Sequence, residues 1–313
     1  MRHRCALGLL ALLLICTSGA EQNSREKTPV EVSGSVQSAF SSGRKGGRRE
    51  TGERFNRSEI TLTYGHWTAK ASTWNYVFCD WHDLDETYLQ YSKGNTTAKL
   101  GRLRLPVGQS TWDDQWYSIF VFLPSIEAST YRNQKLLERT SVGVQADQSY
   151  GNSKLQIALT SDENEQNRVL ASNLKRLSAR YSIYSNGRVY GISGFTSLDS
   201  GFPEHLVVAD IRATLPHFIL RASALQHKFT GGETTGWFVE GSHRPKNWQD
   251  VTLAVRWDVL KQKSGRSELF TLGSKIRLPL DTDLMINYSA GPSINTAMLG
   301  GGWAFGLSKT IRF

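Results

Sequence analysis

The residues that could act as acids, bases or metal ligands are scattered along this sequence. Asp113 and Asp114 are adjacent, but beyond residue 20 the histidines lie singly, at His66, His82, His205, His217, His227 and His243. Catalysis needs a base that a third group orients within hydrogen-bond reach of a nucleophile or water. Metal sites need ligands at characteristic spacings. The sequence suggests neither a catalytic set of this kind nor a metal-ligand spacing, so we expect no catalytic residue, no metal site and no cofactor.

The charged residues instead follow a period of two. In residues 251–259, VTLAVRWDV, the odd positions are all apolar, whereas the even positions include Arg256 and Asp258. Only a β-strand places alternate residues on opposite faces. The same division recurs in residues 207–215 and 270–278, so strands are the repeating element of the chain.

Sixteen segments fit this pattern, with turn residues such as SNG and YGNS between them. They are residues 30–41, 58–68, 72–81, 86–93, 97–105, 141–149, 153–161, 174–184, 188–197, 205–215, 218–229, 235–244, 250–261, 267–278, 283–290 and 302–313. Because residues 72–93 alternate imperfectly, fourteen strands is the alternative count. A helical turn or two is expected only near 133–139.

The first twenty residues have a different character. Arg2 and Arg4 precede a short apolar run that ends at Cys16, and Ala20 follows in a group of small residues. This pattern is typical of a secretory signal peptide over residues 1–20. Its removal takes two of the 37 basic residues and none of the 28 acidic ones, so the net charge falls from +9 to +7. Cys79 would be the one remaining cysteine, which argues against a disulfide framework.

The negative mean hydropathy, −0.38, is compatible with a membrane β-barrel, because such strands alternate lipid-facing and lumen-facing residues. If both termini lie at one end, the connections at that end are mostly short, whereas the other end carries segments 42–57, 106–140, 162–173 and 198–204. This asymmetry is typical of outer-membrane barrels. The sequence therefore predicts an all-β fold, a closed antiparallel transmembrane β-barrel over residues 21–313. A secreted soluble β-sandwich is the alternative fold.

The final segment, GGWAFGLSKTIRF, alternates strictly. Its apolar face carries Phe305, Leu307, Ile311 and Phe313. A terminal Phe with apolar residues at every second preceding position resembles the assembly signal of Gram-negative outer-membrane β-barrels, which the barrel-assembly machinery recognises. Lys309 departs from the pattern, and we expect its long side chain to extend toward the membrane interface.

A second resemblance lies in residues 99–109, KLGRLRLPVGQ, and in the long segment 106–140 that follows the fifth predicted strand. The placement is similar to that in general and phosphate-selective porins, where the loop after strand five enters the lumen. The resemblance implies that residues 106–140 form a constriction loop. Its charged residues include Asp113, Asp114, Glu127, Arg132 and Lys135. We expect Leu103 and Leu105 to face outward, on the face opposite Arg102 and Arg104.

The polar faces of the predicted strands carry more basic than acidic residues. The basic ones are Arg102, Arg104, Arg180, Arg212, Arg221, Arg256, Lys275, Arg277 and Arg312. The acidic ones are Glu31, Asp147, Asp210, Glu240 and Asp258. Excess positive charge around a narrow aqueous pore favours the entry of anions. The nine basic residues are therefore predicted to line a pore and to select weakly for anions.

The resemblance implies a water-filled porin in the outer membrane of a Gram-negative bacterium, through which small anionic or polar solutes diffuse. The expected partners are outer-membrane lipid, lipopolysaccharide and the assembly machinery, and the family's habit suggests a homotrimer. Residues 42–57, which are basic and glycine-rich, would form the first outer loop. Nucleic-acid binding is not expected, because no aromatic residues are interleaved with this charge. The alternative functions are a structural or adhesin barrel and, less favoured, a barrel protease or lipase.

Overall fold

The computed structural model describes the backbone of residues 29–45, 48–76, 81–108, 130–131, 134–135, 140–161, 174–198, 203–248, 250–292 and 302–312. It describes the side chains of the same residues except 37–57, 74–85, 130–135, 310 and 312. Residues 1–20, the predicted signal peptide, lie outside the described residues. No helix in the described ranges is long and apolar enough to cross a membrane.

The described residues form eighteen strands, because the period of two dominates the sequence. They are β1 (Glu31–Lys45), β2 (Arg48–Tyr64), β3 (Trp67–Tyr76), β4 (Trp81–Lys93), β5 (Thr96–Arg104), β6 (Thr130–Tyr131), β7 (Gln134–Lys135), β8 (Thr140–Tyr150), β9 (Ser153–Thr160), β10 (Arg176–Ser185), β11 (Arg188–Ser197), β12 (Glu204–Leu215), β13 (Phe218–Phe229), β14 (Gly232–His243), β15 (Val251–Gln262), β16 (Gly265–Leu278), β17 (Thr282–Ala290) and β18 (Gly302–Arg312).

Sixteen of these strands belong to one antiparallel sheet in which each strand pairs with its neighbours along the chain. β5 pairs with β8, while β6 and β7 form a separate two-stranded sheet between them. β1 pairs with β2 on one side and with β18 on the other, so the sheet returns to its first strand as a closed barrel. The all-β class and the count of sixteen, rather than fourteen, are confirmed.

The two ends of the sheet differ in their connections. The end that holds the start of β1 and the end of β18 has connections of two or three residues and one longer segment, 244–250. At residues 186–187 both φ angles are positive, 46° at Asn186 and 74° at Gly187. This conformation matches a two-residue turn between twisted strands, which explains the Asn-Gly sequence. The opposite end carries the longest connections, including 105–139 and 161–175, as the sequence predicts.

Two predicted boundaries and one predicted element differ from the structure. Residues 42–57 are not a loop, because β1 continues to Lys45 and β2 begins at Arg48, with Arg44 opposite Arg49. A strand that extends beyond the membrane needs no apolar face. Its charged residues then do not alternate with apolar ones, and the sequence pattern predicts a loop. The turn after β2 lies at residues 65–66 rather than near 70. Gly65 has a φ of +56° there, a turn conformation that glycine adopts without strain. Near 133–139, residues 134–135 are extended rather than helical.

The sheet has an apolar outer face and a polar, covered inner face. On β15, Val255 and Trp257 are 41% and 47% exposed, whereas Arg256 and Asp258 between them are 2% and 0% exposed. A soluble sandwich would bury its apolar face and expose its charges. The observed arrangement is the reverse and suits strands that contact lipid on the outside.

The last strand follows the same rule. Phe305, Leu307 and Ile311 face outward and are exposed, as predicted. Lys309 also faces outward and pairs with Thr282, the first residue of β17. Lys309 therefore lies close to the end of the sheet with short turns, where its ammonium can extend into water. Phe313 and the side chain of Arg312 lie outside the described residues.

A charge placed on the middle of the outer face should destabilise the protein. We expect Val255→Arg to cost about 2–4 kcal/mol in a bilayer, the range for an arginine facing lipid near the bilayer midplane. Urea unfolding of the protein refolded in phospholipid vesicles measures this cost.

The matched control is Gln226→Arg. It adds the same side chain to the outer face, but near the end of β13 rather than in the middle of a strand. Gln226 is exposed and donates a hydrogen bond to Glu233. We expect a cost of about 0–1 kcal/mol there. Equal costs at both positions would show that the outer face does not contact hydrocarbon.

Candidate functional site

The inner wall from β8 to β18 is lined by buried, paired charges. Lys275 and Arg277 both lie near Asp283, at 3.0 Å and 3.1 Å. Glu240 lies between Arg221, at 3.6 Å, and Arg256, at 3.9 Å. Most of these side chains are almost fully covered, apart from the guanidinium of Arg277, which is about half exposed. These four basic residues therefore face inward, but carboxylates neutralise much of their charge.

The remaining predicted pore-lining residues are placed as follows. Arg104 lies 3.6 Å from Glu86. Arg102 is buried and Arg212 is half-buried. Asp258, which the sequence places on the polar face, lies 3.4 Å from Arg256. Arg212 and Asp258 lie on the inner face that period two predicts, together with Asp210 and Arg256, whereas the role of the basic residues in selecting anions stays a prediction.

One ion pair spans an intervening strand. Arg180 on β10 donates two hydrogen bonds of 2.7 Å to the carboxylate of Asp210 on β12. Gly191 on β11 lies between them, directly opposite Ser182 and Asp210. A Cβ atom at Gly191 would lie 2.2 Å from Arg180 Nη2 and 2.7 Å from Asp210 Oδ1. The pair therefore occupies the space that a side chain at position 191 would fill.

A second buried network was not predicted from the sequence. Glu204 accepts a hydrogen bond of 3.1 Å from Arg176 and lies 3.0 Å from Nε2 of His227. The guanidinium of Arg176 also stacks on the ring of Phe195, 4.8 Å from its centroid. Glu204 was assigned to a loop, although it continues the alternation that places Asp210 on the inner face. Extending that alternation by six residues would have found it.

The inner wall also carries an apolar cluster near the end with long loops. It contains Leu105, Val107, Phe195, Leu206, Val208, Leu225, Phe238 and Leu260. The prediction that Leu103 and Leu105 face outward is wrong: both are buried, and Leu105 belongs to this cluster. The simple division into polar inner and apolar outer faces therefore fails at this end of the barrel.

The cluster holds the start of the long segment after β5 inside the barrel. Val107 packs among the inward-facing side chains, and the N–H of Gly108 donates a hydrogen bond of 2.8 Å to Ser193 Oγ on β11. The segment therefore turns inward at residues 105–108. Asp113, Asp114, Glu127 and Arg132 of the predicted constriction loop lie outside the described residues, as does the side chain of Lys135.

Among the described inner-wall residues, those on β2 to β5 are the more accessible. Lys70 lies 3.0 Å from Glu59 and 3.3 Å from Glu86, and these side chains are 13–26% exposed. Lys99 lies over the ring of Tyr88, 5.2 Å from its centroid. This wall is polar and only partly covered, so it is the described surface best suited to contact a solute in water.

Alanine at position 191 should force Arg180 and Asp210 apart. Breaking a buried pair leaves charges without partners, so we expect Gly191→Ala to cost at least about 2 kcal/mol. Urea unfolding in vesicles measures the loss. Gly241→Ala on β14 is the control, because its added Cβ would meet only the movable ring of Phe218 at 3.2 Å. Equal, small losses for both variants would contradict the spanning role of Gly191.

Comparison with known proteins gives the fold but no close relative. No protein-family model matches the sequence, and no curated protein matches it significantly. Salmonella typhi OmpF, solved with daunomycin, has a TM-score of 0.69 and 8% identity, over 92% of this chain and 98% of that one. OmpT of Vibrio cholerae, solved as a trimer, has a TM-score of 0.62 and 9% identity, over 91% and 99%.

A mutant of the Rh. blastica porin gives a similar result, with a TM-score of 0.60 and 10% identity, over 91% of this chain and 100% of that one. Identities this low establish shared architecture and leave substrates and partners open. Each of these alignments covers more than nine-tenths of this chain. The chain therefore has the fold of the bacterial outer-membrane porins.

Proposed function

We propose that this protein is a porin, a water-filled channel that crosses the outer membrane of a Gram-negative bacterium and passes small hydrophilic solutes without catalysis. One observation carries the proposal: the sheet pairs β1 with β18, exposes its apolar face and turns its charges inward. A wall of this kind separates lipid outside from water inside. The likeness to solved porins supports the same assignment.

The inward turn of residues 105–108 supports a constriction within the channel. The apolar cluster and the hydrogen bond between Gly108 and Ser193 hold the start of this segment against β11. We propose that residues 106–140 continue from this anchor across the lumen. Residues 1–20 would direct export, and residues 21–313 would form the single barrel domain.

A weak preference for anions is part of the proposal. It rests on the inward basic residues, but the contacts of Arg180, Arg221, Arg256 and Lys275 with carboxylates reduce the net charge that a solute meets. Paired charges present a dipole rather than a full charge, so their effect on ions falls off quickly with distance. The preference should therefore be modest.

The proposed partners follow from the location. Outer-membrane lipid and lipopolysaccharide would contact the outer face, and the barrel-assembly machinery would recognise the last strand. OmpT of Vibrio cholerae has been solved as a trimer, and we extend a homotrimer to this chain as part of the proposal.

A structural or adhesin barrel is the second candidate function. The observation that favours it is the coverage of the inner wall, where Arg176, His227 and Asp258 are almost inaccessible to water. A barrel with a filled interior would hold its shape and display loops without passing ions.

Conductance in planar bilayers separates the two candidates. We expect the purified, refolded protein to give stable current steps and a small reversal potential of the anion-selective sign in a salt gradient. Heat-unfolded protein in the same detergent is the control. Folded protein that inserts but carries no current would support the structural barrel, and a cation-selective potential would refute the anion preference.

Loosening the anchor of the long segment should widen the channel. Val107→Asp places a carboxylate in the apolar cluster, where an unpaired charge is strongly unfavourable. We expect a larger single-channel conductance than in the wild type. Val107→Ile, which keeps the site apolar, should conduct as the wild type does. Unchanged conductance in a correctly folded Val107→Asp barrel would show that the anchor does not set the pore size.

A further inference from the structure

Lys99 on β5 differs from the other described lysines and arginines of the inner wall. Its position on the inner face follows from its neighbour Leu100, which is 50% exposed on the outer face. Lys99 is also paired with Gln145 of β8. Gln145 is buried on the inner face and donates a hydrogen bond to Asp147. Lys99 itself is partly exposed, so its ammonium lies on the more accessible part of the inner wall.

Within the described ranges, no carboxylate lies within salt-bridge distance of Lys99. The charged groups that act on it electrostatically include Asp147, Glu86, Lys154 and Lys70. Its recorded contact is instead with the ring of Tyr88, 5.2 Å from the centroid. A lysine over an aromatic ring gains only weak stabilisation at a partly exposed site.

The two neighbouring acids are already engaged with other groups. Asp147 accepts hydrogen bonds from Gln145, at 2.6 Å, and Gln156, at 3.2 Å, and lies 3.0 Å from Lys154. Glu86 lies within 4 Å of Lys70 and Arg104. Within the described residues neither carboxylate forms an ion pair with Lys99, so its ammonium is not held by an acidic side chain there.

This difference decides where an anionic solute would bind. At Lys275 or Arg180 a solute must compete with Asp283 or Asp210, which already occupy the cation at 3.0 Å and 2.7 Å. At Lys99 none of the carboxylates that the structure describes holds the ammonium in an ion pair, so its donors can turn toward water. An incoming anion thus gains a charge-assisted hydrogen bond without breaking an ion pair.

We propose that Lys99, supported by the ring of Tyr88, is the position at which the channel recognises anionic solutes that carry a carboxylate or phosphate group. The inference rests on the proposed channel function and deepens it. It assigns the anion preference chiefly to one residue that the sequence pattern did not single out, rather than to the paired arginines.

The test compares Lys99→Gln with two controls in planar bilayers. Lys99→Arg keeps the charge. A double variant, Arg176→Gln with Glu204→Gln, removes a cation of the inner wall but also its partner, so the net charge of the wall is unchanged. Two quantities are measured for each folded barrel: the reversal potential in a potassium chloride gradient, and the block of the chloride current by inorganic phosphate or by acetate.

We expect Lys99→Gln to lose most of the anion preference and to need several-fold more phosphate or acetate for the same block. Lys99→Arg and the double variant should resemble the wild type. If only phosphate block is weakened, the position selects phosphate over carboxylate, and if only acetate block is weakened, the reverse holds. Both results support the site.

Two results overturn the inference while leaving the channel function intact. One is a conducting Lys99→Gln barrel with unchanged reversal potential and block. The other is a double variant that loses as much selectivity as Lys99→Gln, which would mean that no single position dominates. A wild-type barrel that does not conduct would instead refute the proposed function itself.

Discussion

The pairing of every strand edge is the constraint on which this structure depends. A strand that crosses hydrocarbon cannot leave its backbone N–H and C=O groups without partners, and no water is present to replace them. The contact between β1 and β18 removes the last two edges of the sixteen-stranded sheet. Once the sheet closes, it has only an inside and an outside, and the period of two assigns each side chain to one of them.

The inner face then has to accommodate many charged groups at close quarters. The structure does so by matching them, as in the pair of Arg180 and Asp210 across Gly191 and the contact of Glu204 with Arg176 and His227. The end with long loops uses apolar packing instead, around Val107 and Phe238. The inner wall therefore has three kinds of surface: ion pairs, the apolar cluster, and the more accessible polar wall of β2 to β5. A solute would meet different chemistry on different sides.

The sequence predicted the strands and their two faces well, because alternation is local and repeats in almost every segment. The sequence-based prediction failed where the inner face is apolar. Leu206 and Val208 share a face with Asp210, and no local pattern shows that Leu105 packs against them. It also could not show which cations have partners, since Arg180 and Asp210 are 30 residues apart. The continuation of β1 and β2 into residues 42–57 was missed because charge masked the alternation there.

The pairing of β1 with β18 also has a kinetic consequence. It joins Ser35 to Arg312, residues near opposite ends of the sequence, whereas the other pairings of the sheet connect strands that are much closer along the chain, including β5 with β8. Contacts between distant residues form slowly, because a long stretch of chain must be ordered first. A partly formed barrel therefore carries two exposed strand edges, which can pair with other chains. Protection of those edges before closure, rather than the stability of the finished sheet, would limit the yield of native protein.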